Sequence, residues 1–298
     1  MKKIKSVKLI TIGMLFLGTL VSGGRIYALN EEIGTVNEAE LNTITDNQDI
    51  VKESTNVNTT QRALDINLRN TIHQVNDETS LHTAVDNASA GDIIELTADI
   101  KDLTGAINIY QDITFRSEIG KNYTITAKYL TSYLFIYNGT VIWENVTLLG
   151  DSLYGGETIH IVEGNFIMND GMIDSYYSTI YMGSGTVEMN RGTIGNGSNA
   201  VYIQENGTFT MNGGLVTGEI TNRPAIYVNG GNLIINKVVN KKSEINGAGN
   251  GVYITNAGYF KMDDGIIKGS LAQPDANNGY ATVYLDDGAF EMNDQMKK

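Results

Sequence analysis

Seven side chains recur at one place in a repeated phrase, and with them this chain could meet another molecule. They are Phe135, His160, Tyr181, Tyr202, Tyr227, Tyr253 and Tyr284. Each is the middle of a triplet with apolar flanks, from Leu134-Phe135-Ile136 to Val283-Tyr284-Leu285, and His160 takes the aromatic place in Ile159-His160-Ile161. Aromatic rings and phenol hydroxyls suit sugar rings or a protein surface. Tyrosine is also a good strand former, and tyrosines stacked on a parallel sheet stabilise it without binding anything. From the residues alone both readings stay open. The binding candidates are Phe135, Tyr181, Tyr202, Tyr227, Tyr253 and Tyr284.

Catalysis would need other groups beside that row. Two residues before each aromatic stand Thr158, Thr179, Ala200, Ala225, Gly251 and Thr282, and two after it Val162, Gly183, Gln204, Asn229, Thr255 and Asp286. If strand alternation holds, all of these share the aromatic face. It then carries one carboxylate and no Lys or Arg, whereas hydrolysis of a glycosidic bond calls for a pair of carboxylates. Proton abstraction needs a base, and calcium several oxygen ligands. The pattern points to a non-catalytic protein without a cofactor or metal. The acidic pairs Asp263-Asp264 and Asp286-Asp287 fall in different turns, and His73, His82 and His160 are scattered. The glycines lack the following Lys-Ser/Thr of a phosphate-cradling loop. A further row, Asn169, Asn190, Asn212, Asn236, Asp263 and Asn293, reads as a ladder of turn amides. The residues after it, Asp170, Arg191, Gly213, Lys237, Asp264 and Asp294, are of mixed sign and suggest vertical ion pairs rather than a calcium site.

What positions these rows is a repeat. Each triplet is followed by Gly139, Gly164, Gly185, Gly207, Gly231, Gly258 or Gly288, at spacings of 25, 21, 22, 24, 27 and 30 residues. A unit this short cannot bury its own apolar face, so copies must stack into a solenoid. The second strand of each unit alternates as well, with Phe166/Met168, Val187/Met189, Phe209/Met211, Leu233/Ile235, Phe260/Met262 and Phe290/Met292 expected inside. A short third strand follows, as in Met172-Ile173, Thr193-Ile194, Leu215-Val216 and Ile266-Ile267. Three short strands per unit make an all-β parallel β-helix over 93–298, of about eight or nine coils, irregular before residue 130. In 73–92, Leu81, Ala84, Val85 and Ala88 form one helical stripe behind Ser80 as N-cap, a short helix that caps the first coil.

The segments Leu81-His82-Thr83-Ala84-Val85 and Gly91-Asp92-Ile93-Ile94-Glu95-Leu96 resemble the opening of pectate-lyase-like adhesive domains of bacterial surface proteins. Gly207-Thr208-Phe209-Thr210-Met211-Asn212-Gly213-Gly214 resembles their right-handed β-helix repeats. The resemblance spans 80–294 and implies a right-handed β-helix that serves as an adhesin or spacer, partnered by a glycan or a host or cell-surface protein. The same superfamily includes polysaccharide lyases and hydrolases, which is the alternative activity.

Residues 1–28 read as a secretory signal, with Lys2, Lys3, Lys5 and Lys8 ahead of an apolar run from Leu9 to Val21 and a cleavage position after Ala28. This places the protein outside the cell, secreted or on a surface, and the signal style with an Asn/Lys/Ile-rich composition suggests a Gram-positive source. Residues 29–72 read as a flexible polar spacer, with room for a short helix around Leu64 to Ile72. Without the signal, 16 Lys and Arg face 34 Asp and Glu, a formal charge of −18. Such a surface repels nucleic acid and anionic membrane. With no Cys in 298 residues, stability must come from stacking instead of disulfides. The final Phe290-Glu291-Met292-Asn293 opens a second strand, but Gln295-Met296-Lys297-Lys298 stands where a third is due, so the chain reads as part of a longer surface protein.

Overall fold

In the computed structural model, the structure describes residues 70–128, 132–150, 156–175, 177–195, 197–220, 222–269 and 282–293. The expected signal segment and nearly all of the spacer lie outside the described residues. What is described is a parallel β-solenoid of about eight turns. Sixteen strands join into one sheet and eight into a second, and every pairing is parallel between one coil and the next.

Two features at the N-terminal end differ from the sequence reading. A strand β1 (Ile72–Val75) pairs in register with β2 (Asp92–Leu96), so the solenoid begins before the helix. Its apolar alternation is too short to be recognised alone; Asp92 fixes it, taking bonds from the Thr71 amide at 2.8 Å, His73 Nε2 at 2.9 Å and the Ser89 amide at 2.9 Å. The helix α1 (Glu78–Asn87) is capped by Asp77 and not by Ser80. Ser80 sits at the third helical position, where its amide donates to Asp77 Oδ1 at 2.7 Å while its hydroxyl accepts the Asp77 amide at 3.1 Å. This reciprocal box satisfies two donors at once, which a lone serine cap cannot. Leu81, Ala84 and Val85 are buried against the first coil as the stripe requires. Glu78 locks the helix down by accepting from the Thr104 and Gly105 amides, and Gln111 Nε2 donates to the Val85 and Ala88 carbonyls at its other end.

The interior is built from like on like. Phe166 pairs with Val187, Val187 with Phe209, Phe209 with Leu233 and Leu233 with Phe260 on successive rungs. Beside them run Met168, Met189, Met211, Ile235 and Met262, and all ten side chains are buried. Phe290 and Met292, on the last described coil, are only half-buried. Trp143 is the bulkiest side chain inside, packed between Phe115 and Phe166, and its indole nitrogen donates to the Val146 carbonyl at 2.9 Å. A buried donor without that carbonyl would be costly. Third strands close the coil with Ile173, Ile194, Val216 and Ile245 pointing inward.

Phe209 is fully buried between rungs that cannot collapse into its space. Phe209→Ala is expected to cost about 3–5 kcal/mol in denaturant unfolding. Thr210→Ala, one residue on and outward, should fall within about 0.5 kcal/mol of the parent.

Candidate functional site

The aromatic row is continuous. Phe135, His160, Tyr181, Tyr202, Tyr227, Tyr253 and Tyr284 are direct register partners from coil to coil. Neighbouring tyrosine rings lie 5.3, 4.9, 5.0 and 5.0 Å apart from Tyr181 to Tyr284, tilted by only 16°, 5°, 11° and 13°. His160 breaks the regularity, stacking on Phe135 at 5.5 Å but standing 57° to Tyr181, with Nδ1 3.9 Å from Glu157. The strand spacing of about 4.8 Å imposes the ring spacing, because the rungs carry one ring each. One consequence decides what the row can offer. Stacked rings spend their faces on each other, so along its middle the row turns edges and hydroxyls outward.

Those hydroxyls are also positioned. Gln204 Nε2 donates to the Tyr181 hydroxyl at 2.8 Å and Asn229 Nδ2 to the Tyr202 hydroxyl at 2.9 Å. Asn229 also donates to Gln204 Oε1 at 3.2 Å and accepts from Asn256, so a second column of amides braces the phenols. Gln204 and Asn229 each stand two residues after the aromatic of their own coil and bond the phenol of the coil before. Burial pushes the Tyr202 phenol up from its ordinary value, with neighbouring Tyr227 adding to it and the Asn229 bond working against it. Burial also raises Tyr253, followed by the charge of Asp286.

The second column starts earlier than the sequence reading placed it. Its first members are Tyr110 and Tyr137, stacked at 5.0 Å and 7°, with Tyr137 also 5.9 Å from Phe135. The signal was there: Tyr137 follows Phe135 at the same distance as Val162 follows His160. Tyr110 is 61% exposed and borders a cleft of about 370 Å³ under α1, together with His82, Asp86, Asn108 and Gln111. Here, at the N-terminal end of the stack, a ring is open to solvent.

One expectation about this face is overturned. Thr158, Thr179, Ala200, Ala225 and Gly251, expected to share the aromatic face, are buried. Strict alternation fails just before each of these triplets, where two successive side chains are buried and the first packs against the third strand. Thr179 Oγ1 donates to the Gly195 carbonyl at 2.6 Å, and a β-carbon on Gly218 would meet Ala225 Cα at 2.7 Å. Small residues are required there by close packing, not by an exposed groove.

The acidic groups are dispersed among structural tasks. Asp263 pairs with Lys261 at 2.8 Å, Asp286 accepts from Thr255 Oγ1 at 3.2 Å, and Asp287 accepts from the Ala257 amide at 3.2 Å. Asp170 and Asp264 each accept from the amide of the glycine that follows, at 2.8 Å. Among the described residues no three His, Asp or Glu gather as a metal-holding group. The turn amides do form a ladder: Asn190 donates to Asn169, Asn212 to Asn190 and Asn236 to Asn212, at 3.2, 3.1 and 2.9 Å. Comparison with known proteins gave no match, by family model, by curated sequence or by solved structure.

Phenols held above their ordinary value keep the proton more tightly folded than unfolded. The stability they add is present below the unfolded tyrosine value of 10.0 and is lost as pH rises through the higher folded one. Melting temperature is therefore expected to fall as pH rises from 10.0 towards the folded value. The double variant Tyr202→Phe, Tyr253→Phe, which keeps the rings, should show a shallower alkaline drop in the same melting series.

Proposed function

We propose that this protein is exported and works outside the cell as a non-catalytic β-solenoid, an adhesin or spacer of the pectate-lyase-like kind found on bacterial surfaces. It recognises a neutral, hydroxyl-rich partner, a glycan or the surface of a host protein, along its aromatic row. The observation that carries this reading is the near-parallel stack from Tyr181 to Tyr284, with Gln204 and Asn229 bracing its first two phenols. It belongs to a rigid, linear aromatic row on the order of 29 Å from Phe135 to Tyr284, with a phenol on each of the five rungs from Tyr181 to Tyr284. Exposed Glu163, Glu205, Asp286 and Asp287 flank it, and the triplets and the turns after them bring no Lys or Arg, so acidic polymers are repelled. Contact runs through ring edges and hydroxyls along the row, and through the open ring of Tyr110 at its end. The alternative, a polysaccharide lyase or hydrolase, would need carboxylates converging on one groove. The acidic pairs here sit on separate turns and are already engaged.

Hot spots gather where neighbours exclude water, so the central tyrosines matter most. Tyr202→Ser, Tyr227→Ser and Tyr253→Ser combined are expected to abolish retention on an array of neutral glycans and host-matrix proteins. Circular dichroism must show the variant folded; a folded variant that binds like the parent would make the stack purely structural. In parallel, neutral and acidic polysaccharides incubated with the protein, with and without calcium, are expected to gain no unsaturated uronide absorbance and no new reducing ends. Either product, copurifying with the protein, would favour the enzyme.

A further inference from the structure

The chain contains eight Asn-Gly steps, the pair in which an asparagine side chain is most open to attack by the next peptide nitrogen. Six have their asparagine among the described residues: Asn138, Asn206, Asn212, Asn229, Asn246 and Asn250. The fold treats them very differently. Asn212 donates to Glu188 and Asn190 and accepts from Asn236, so its amide is held away from its own backbone. Asn229 is tied to Tyr202 and Gln204, and the Gly230 nitrogen donates to the Thr255 carbonyl at 3.0 Å. Asn206 and Asn246 lie inside paired strands, opposite Ser184 and Thr217, and Asn250 is buried.

Asn138, in contrast to the described asparagines above, is folded onto its neighbour. It is exposed in the turn after the triplet Leu134-Phe135-Ile136, and the Gly139 nitrogen donates to Asn138 Oδ1 at 2.7 Å. That bond brings Cγ, the atom next to Oδ1, within reach of the nitrogen. Gly139 holds φ at +76°, and it stays glycine because a β-carbon would lie 2.5 Å from the Gln111 backbone. The same side-chain-to-amide closure recurs at Asp170-Gly171 and Asp264-Gly265, where a carboxylate replaces the amide.

We propose that Asn138 is a site of spontaneous deamidation in the folded protein. The Gly139 nitrogen gives up its proton and attacks Cγ of Asn138. The new C–N bond closes a five-membered succinimide, the Cγ–Nδ2 bond breaks, and ammonia leaves with the proton. Water then opens the ring at either carbonyl, giving aspartate or, with the backbone rerouted through the side chain, isoaspartate. The product places a carboxylate beside Tyr137 at the N-terminal end of the aromatic stack, close to Asp112, whose Oδ1 already accepts the Thr140 amide at 2.6 Å. Like charges in that turn loosen the join between two coils and add an acidic group to the binding edge.

The test is a time course of the intact chain at mildly alkaline pH, digested and read by mass spectrometry for the gain of about one dalton that deamidation brings. Isoaspartate is scored with an isoaspartyl methyltransferase. In the folded protein the Asn138 peptide is expected to convert about tenfold faster than those of Asn206, Asn212 and Asn229, since an exposed turn opens far more often than a paired strand. In urea the rates should draw together. Asn138→Gln, which would need a larger ring, should silence that peptide without shifting the melting temperature. Conversion at Asn206, Asn212 or Asn229 as fast as at Asn138, or the same order of sites in urea as in buffer, would overturn the proposal.

Discussion

Everything in this structure depends on in-register parallel stacking. A parallel ladder repeats at about 4.8 Å, and that distance is close to the contact spacing of two aromatic rings and to the reach of one amide to the next. Once coils are aligned, any residue type that recurs in sequence is brought onto its own kind. Phenylalanine and methionine rows fill the interior, asparagine rows link the turns, and tyrosine rows stack outside. One constraint thus generates the core, the turns and the candidate site together.

The same constraint limits the site. A tyrosine in a cleft can offer its ring face to a ligand, but a tyrosine in a ladder has lent both faces to its neighbours. What the row displays is a line of edges and hydroxyls, with those of Tyr181 and Tyr202 held still by Gln204 and Asn229. Rigidity favours recognition, because little side-chain freedom remains to be lost on binding. The irregular places in the row are informative for the same reason. His160 interrupts the stack with a tilted ring, and Tyr110 leaves one open beside the capping helix.

The residues just before the triplets, in contrast, are where repeat logic gives way to local packing. Thr158, Thr179, Ala200 and Ala225 sit where strict alternation would expose them, yet they are buried beside the third strand. Glycine backbones press against that position, so only small side chains fit. Asp77 and Ser80 show a comparable local effect at the cap, where reciprocal hydrogen bonds shift the start of the helix by three residues.

The solenoid, its inward Phe and Met rows, its outward aromatic row and the helical stripe of the cap were legible in the sequence. Periodicity reports a repeated environment directly, and each of these features repeats. Three things awaited the tertiary structure, because each depends on groups far apart in the chain. The strand Ile72–Val75 exists by virtue of its pairing with the next coil and the bonds to Asp92. The second column emerges only when register stacks Tyr137 on Tyr110 and sets Gln204 and Asn229 against the phenols of Tyr181 and Tyr202 on the preceding coils. The contrast between Asn138 and Asn212, identical as Asn-Gly pairs, comes from what surrounds them: one amide turns back on its own backbone, and the other is held by the coils above and below.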